Sequence, residues 1–288
     1  MPSPKEILDD ALAELATRLS FQATNDLRSH TLVVASGLDD PLIPTVLARY
    51  AVGVLAGWVQ YDATIAARFA VQGVERREEI HKLVARIVES PRDATEAELE
   101  LWRQTWRDPW IAETLIHALL VLTRNHATQV VGGSVIAAMP PHPVPKRHGL
   151  DALAIYKDDT VAVMAIGETK ASETNGSAQL TVACDSFDKV EQGLAGPDLR
   201  DALKTLAPVI PPDLALNISE ELWRDHRCYL SAIVYQTEFD GSAHRPRLHQ
   251  LTPPPARKRL LALQTRAFRK FFDDVATAMP TTVDDIIS

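Results

Sequence analysis

The sequence predicts an α/β protein of the α+β kind, a helical N-terminal lobe followed by a mixed sheet flanked by helices. Three observations carry this expectation. From residue 4 to about residue 128, apolar residues recur at the 3.6-residue period of packed helices. Near Gln129 the texture changes, and Leu150, Leu153, Ile155 and then Val161, Val163, Ala165 follow the shorter rhythm of strands. The segment Cys228–Gln236 is almost continuously apolar, as a strand covered on both faces is. The order of helices, three strands, helix, strand and helix places the helical lobe in residues 1–110 and the sheet, with a closing helix, in residues 111–288.

Ser3 caps the first helix, with Pro4 at its first position and Glu6 three residues on, ahead of Ile7, Leu8, Ala11, Leu12, Leu15 and Leu19. Residues 44–60 repeat the period through Val46, Leu47, Tyr50, Val54, Leu55 and Trp58, and a further helix is expected over 62–89. Asp93 and Glu96 read as a capping box for the helix with Leu101, Trp102 and Trp106. Asp108-Pro109 reads as a cap and restart for the next helix, which carries Trp110, Ile111, Glu113, Leu115, Ile116, Leu119, Leu120 and Leu122. The tryptophans are expected to pack between helices rather than to stack bases.

Gln129–Met139 reads as a strand broken by Gly132 and Gly133, and the proline-rich 140–145 stretch as a loop. Lys157-Asp158-Asp159 turns a hairpin. Asn175-Gly176 is a loop, residues 177–194 and 198–206 are helices, and Pro208, Pro211 and Pro212 end that run. The last helix is expected over 255–279, with a basic face of Arg257, Lys258, Arg259, Arg266, Arg269 and Lys270 opposite Leu260, Leu263, Phe268, Phe271 and Phe272. That face is either a surface for DNA or a partner, or a solvated amphipathic face.

The 288 residues are enough for a sizeable core, and 46% hydrophobic with 24% charged residues is ordinary globular composition. A net charge of −8 weighs against free-standing nonspecific DNA binding, which favours basic chains. Cys184 and Cys228 make no disulfide framework, so core positions in a reducing cytosol are expected. The first residues lack the basic-then-apolar pattern of a secretory signal, and no apolar run approaches the roughly 18 residues of a membrane span. A cytoplasmic protein with no membrane partner is the expectation. His117 and His126, nine residues apart, have poor zinc spacing.

Acids and a lysine converge at one place, residues 148–172, HGLDALAIYKDDTVAVMAIGETKAS. Asp151 opens one strand, and Glu168, Thr169 and Lys170 close the next, with sixteen residues between Asp151 and Glu168. Residues two apart on a strand share a face, so Glu168 and Lys170 point together while Thr169 points away and offers its backbone carbonyl. Hydrolysing a phosphodiester requires a metal to polarise the phosphate and a placed water. Magnesium binds through one or two carboxylates, which Asp151 and Glu168 supply, and Lys170 then stands beside the water or the developing charge.

Asp151, Glu168 and Lys170 in this arrangement resemble the PD-(D/E)xK nuclease superfamily. The resemblance covers about residues 113–236 and implies a restriction-endonuclease-like sheet, a Mg²⁺ (or Mn²⁺) cofactor and a DNA (possibly RNA) substrate. It implies metal ligation by Asp151, Glu168 and the Thr169 carbonyl, with Glu113 as a further acid from the preceding helix. His148, Ser172 and Gln179 become candidate substrate contacts; position 183 is alanine where an aromatic often follows the glutamine, and His148, a lone histidine before Gly149, reads as a structural residue ahead of a phosphate contact. His148-Gly149-x-Asp151 followed by Gly167-Glu168-x-Lys170, behind a helical region, is similar to nuclease subunits of bacterial anti-phage defence operons, notably the HamA type of the Hachiman system. That similarity implies a helicase partner. The competing expectation is a catalytically silent module that keeps the fold and binds a protein or nucleic acid. A sugar- or nucleotide-processing enzyme lacks support, since the chain has neither a glycine-rich phosphate loop nor a nucleophile elbow.

Overall fold

Seven strands, β1 Ser20–Thr24, β2 Thr31–Ser36, β3 Ser134–Ala138, β4 Ala152–Asp158, β5 Val161–Ser172, β6 Arg227–Tyr235 and β7 Lys258–Gln264, form one mixed sheet in the order β1-β2-β7-β6-β5-β4-β3. The structure, a computed structural model, describes residues 2–25, 27–58, 75–142, 149–215, 218–237 and 239–287. The principal helices are α1 Pro4–Arg18, α2 Ile43–Leu55, α3 Glu75–Val88, α4 Glu96–Trp102, α5 Asp108–Leu122, α6 Gly176–Glu191, α7 Gly196–Leu206 and α8 Phe268–Ile286. The chain is therefore a mixed α/β protein whose sheet is flanked by helices.

Strands β2, β7, β6 and β5 run parallel, while β4 and β3 continue the sheet antiparallel as a meander from β5. Parallel strands need cover on both faces, and the side chains of β5 show that cover. Val163 and Ala165 join the core built with α1, α2, α5 and α8, whereas Ala162, Met164 and Ile166 join the core built with α6 and α7. Val163, Met164 and Ile166 are fully buried, and each contributes roughly 1.5–3 kcal/mol. The strand that carries Glu168 and Lys170 is thus anchored on both sides before it reaches them.

Several local expectations hold. Ser3 and Glu6 cap α1 reciprocally. Asp159, with φ of 53°, turns the β4–β5 hairpin. Trp58 and Trp110 are core residues, and Trp106 Nε1 donates to the Arg86 carbonyl at 2.9 Å between helices. The capping box expected at Asp93 and Glu96 lies instead at Thr95 and Glu98. The helix expected over 62–89 is described only from Glu75 on; residues 59–74 lie outside the described residues.

Three expectations are corrected. The region expected to be wholly helical contributes β1 and β2, which extend the sheet beyond β7. The closing helix begins at Phe268, and Lys258–Gln264 is a strand. Its sequence, KRLLALQ, is rich in helix formers, but β2 and β6 pair with both its edges, and this pairing overrides propensity. Asp108 does not cap a new helix: α4 runs into α5 through a π-helical turn, Arg103–Arg107. Pro109 has no N–H for the usual ladder, and the ladder shifts so that the Asp108 N–H donates five residues back, to Arg103.

The basic face expected from residues 257–270 is dissolved by the same change. Lys258 is buried, with Nζ donating to the His249 and Leu251 carbonyls. Arg257 pairs with Asp158, Lys270 with Asp274, and Arg269 with Asp108 and Glu100.

Candidate active site

The hairpin delivers its charged residues to one cleft. β4 pairs with β5 from Ala152 opposite Gly167, so Asp151 stands just outside the ladder, level with the residues that follow Gly167. Gly167 is required there: a Cβ would lie 2.8 Å from the Ala152 Cβ, so only glycine allows the two strands this approach. Asp151 Oδ2 accepts from the Thr169 N–H at 2.8 Å and lies 3.5 Å from Lys170 Nζ. Lys170 Nζ donates to Glu168 Oε2 at 2.8 Å. The lysine thus bridges the two acids, as the shared strand face of Glu168 and Lys170 requires.

Glu113 reaches the same cleft from α5. A cavity of about 390 Å³ is lined by Glu113, Asp151, Thr169, Lys170 and Gln179, and walled by Trp106, Trp110, Met139 and Pro140. Trp110 Nε1 donates to the His142 carbonyl at 2.7 Å and ties the first turn of α5 to the loop beyond β3. Glu113 lies three residues on, on the same side of the helix.

The charges are unequal, three carboxylates around one ammonium. Glu168 is only 3% exposed. Burial, and after it the Asp151 charge, pushes its carboxyl up to about 7 against the pull of Lys170 and a hydrogen bond from Ser186. Burial also raises Glu113, to about 8, with Asp151 and Glu168 adding to the rise and Lys170 opposing it. Burial alone would lower Lys170, but Asp151 and Glu168 outweigh it and hold the ammonium above its ordinary value. Near neutral pH the cleft therefore binds protons that isolated carboxyls would have lost.

The donor set suits a hard divalent ion. Thr169 is 4% exposed and its Oγ1 has no partner among the described residues. Its N–H faces Asp151, and in a strand the carbonyl of the same residue projects to the same side, beyond the start of β4. The carboxylates and the carbonyl are oxygen donors, the kind magnesium and manganese take. Among the described residues no three His, Cys, Asp or Glu stand together as a ready-made metal cluster.

The structure thus brings together Asp151, Glu168, Thr169, Lys170, Glu113 and Gln179. Ser172 is not among the residues lining the cleft; its Oγ accepts from the Asn175 N–H at 3.0 Å and supports the turn into α6. His148 lies outside the described residues. Ser186 and Trp110 were not anticipated as site residues. Trp110 had a signal, its i, i+3 relation to Glu113, whereas Ser186 had none, because only the packing of α6 against β5 sets it beside Glu168.

Compared with protein-family models and with curated proteins, the chain matches none. No described helix is long and apolar enough to cross a membrane.

Proposed function

We propose that the chain is a metal-dependent nuclease of the PD-(D/E)xK kind that hydrolyses phosphodiester bonds in DNA, with Asp151, Glu168 and Lys170 as its catalytic residues. The observation that carries this reading is the convergence of Asp151, Glu168 and Glu113 around a single lysine, Lys170, whose Nζ lies 2.8 Å from Glu168 and 3.5 Å from Asp151. Asp151 and Glu168, with the Thr169 carbonyl and Glu113, would hold Mg²⁺ or Mn²⁺, and two carboxylates suffice for such an ion. The bound ion would supply Lewis-acid polarisation of the phosphate and a more acidic water.

The remaining work falls to the chain. Lys170, released from neutralising two acids on its own, holds negative charge developing on the phosphate or orients the attacking water. Glu113 gives up its proton when it helps to hold the ion from the cleft wall. Gln179 offers an amide to the substrate. Much of the chain's basic charge is committed to internal pairs, and the net charge is −8. Both favour a partner that delivers the nucleic acid, such as a helicase subunit of an anti-phage complex.

The test is cleavage of plasmid DNA with Mg²⁺ or Mn²⁺ by the wild type, Glu168→Ala and Lys170→Ala. Each variant is expected to lose activity by roughly a hundredfold or more while keeping its circular dichroism. Equal cleavage by all three would sink the reading.

A second reading has its own observation. Lys170 already satisfies Asp151 and Glu168, as in a silent module that keeps the fold for binding alone. Isothermal titration with Mn²⁺ separates the two: a site lost in Asp151→Ala favours the enzyme, and no binding by the wild type favours the module.

A further inference from the structure

A second cavity, of about 490 Å³, shares no lining residue with the acidic cleft and is used by nothing above. It sits where the turn after α5 meets the start of β3 and the start of β7, and it is lined by Arg124, Asn125, His126, Gly132, Ser134 and Arg259, among others. No carboxylate lines it among the described residues, and neither Arg124 nor Arg259 forms an ion pair among them.

Arg259 is the unusual member. It is 8% exposed, on a central strand. Among the described residues its Nε is buried with no partner, and its one hydrogen bond, to the Gln129 carbonyl, is long at 3.4 Å. A buried guanidinium facing no anion is costly, and β7 could have packed an aliphatic side chain there, as it does at Leu261 and Leu263. Gly132 leaves room in front of it: a Cβ at that position would lie 3.1 Å from Arg259 Nη2. The last carbonyls of α5 do not compete for these cations. Those of Leu120, Val121 and Leu122 already accept from the N–H groups of Thr123, Arg124, Asn125 and His126.

We propose that this cavity binds a phosphate-type oxyanion, free or as the terminal phosphate of a nucleotide, with Arg259 as its buried anchor and Arg124 as its outer cation. A guanidinium presents a fork of donors that matches such an anion. Asn125 and Ser134 add neutral hydrogen-bonding groups at the wall. The volume is that of a small-ligand pocket, with room for more than the anion itself. The site does not depend on the nuclease reading, since its residues are separate from Asp151, Glu168 and Lys170.

The test is isothermal titration of the full chain with inorganic phosphate and, separately, with adenosine 5′-monophosphate, in metal-free buffer. Saturable binding is expected. It should weaken at least tenfold in Arg259→Met, which keeps the length of the side chain, and about threefold in Arg124→Gln, an exposed position that leaves the core untouched. Gly132→Ala should also weaken it by crowding the guanidinium. Adenosine monophosphate binding tenfold tighter than phosphate would identify a nucleotide as the source, and equal affinities a free oxyanion. No saturable binding to the wild type, binding unchanged in both arginine variants, or binding lost in Lys170→Ala instead would overturn the proposal.

Discussion

Helix α5 carries two acids five residues apart, Asp108 buried and Glu113 partly buried, and their surroundings are opposites. Asp108 is embraced by two guanidiniums, with Arg107 Nε and Arg269 Nη1 each donating to it at 2.8 Å. Glu113 faces Asp151 and Glu168, with one lysine among three carboxylates. Burial raises both acids, but only Asp108 has two close cations to hold the rise back. A cluster that serves architecture neutralises its buried charge. A cluster that leaves negative charge in excess keeps it at a cost in stability, which a bound cation would repay. The contrast separates the salt-bridge network, which joins α5 to α8, from the cleft, which we assign to chemistry.

Three measurements break or sharpen this comparison. The largest effect is expected for Asp108→Ala, which removes the buried acid shared by Arg107 and Arg269 and leaves them their more exposed partners, Asp273 and Glu100. Denaturant unfolding should show a loss of about 3–5 kcal/mol. A loss below about 1 kcal/mol would remove the distinction between the clusters.

Glu113→Gln should act in the opposite direction. The folded pKa of Glu113 is raised, to about 8 from the ordinary 4.5, so the native state holds the proton more tightly than the unfolded chain. Its contribution is favourable below about pH 4.5 and is lost as pH rises through about 8. In metal-free buffer at pH 8 the variant should exceed the wild type by about 1–3 kcal/mol, and the gap should close by pH 5. A constant difference across that range would mean that Glu113 does not titrate as described. The same proton should be released on Mn²⁺ binding near pH 7, giving a titration heat that depends on the buffer's ionisation enthalpy.

The smallest effect belongs to Thr169→Val. Removing an unpartnered buried hydroxyl should leave stability unchanged or raise it by about 1 kcal/mol or less. A weakened Mn²⁺ affinity in that variant would count the hydroxyl among the ligands.

How much of this was legible in the sequence differs by element. The β4–β5 hairpin was, because its alternation, its turn and the spacing of Asp151 from Glu168 are local. So was β6, whose unbroken apolar run can hardly be anything but a covered strand. β1, β2 and β7 were not. The first two are short and bounded by helices, and β7 is composed of helix formers that become a strand only between two partners. Misreading β7 also produced a basic helix face that does not exist, since Lys258 and Arg259 turn into the interior.

By itself, then, the sequence determined which residues share the face of one strand, and so paired Glu168 with Lys170 and set Asp151 beside them. That follows from a backbone period that needs no knowledge of the rest of the chain. Only the tertiary structure decided that α5 would bring Glu113 to the same cleft, that Ser186 would meet Glu168, and that two arginines, 124 and 259, would line one cavity with no acid among the described residues. Charge and burial act through space, and residues far apart in the chain acquire them only when the sheet has closed.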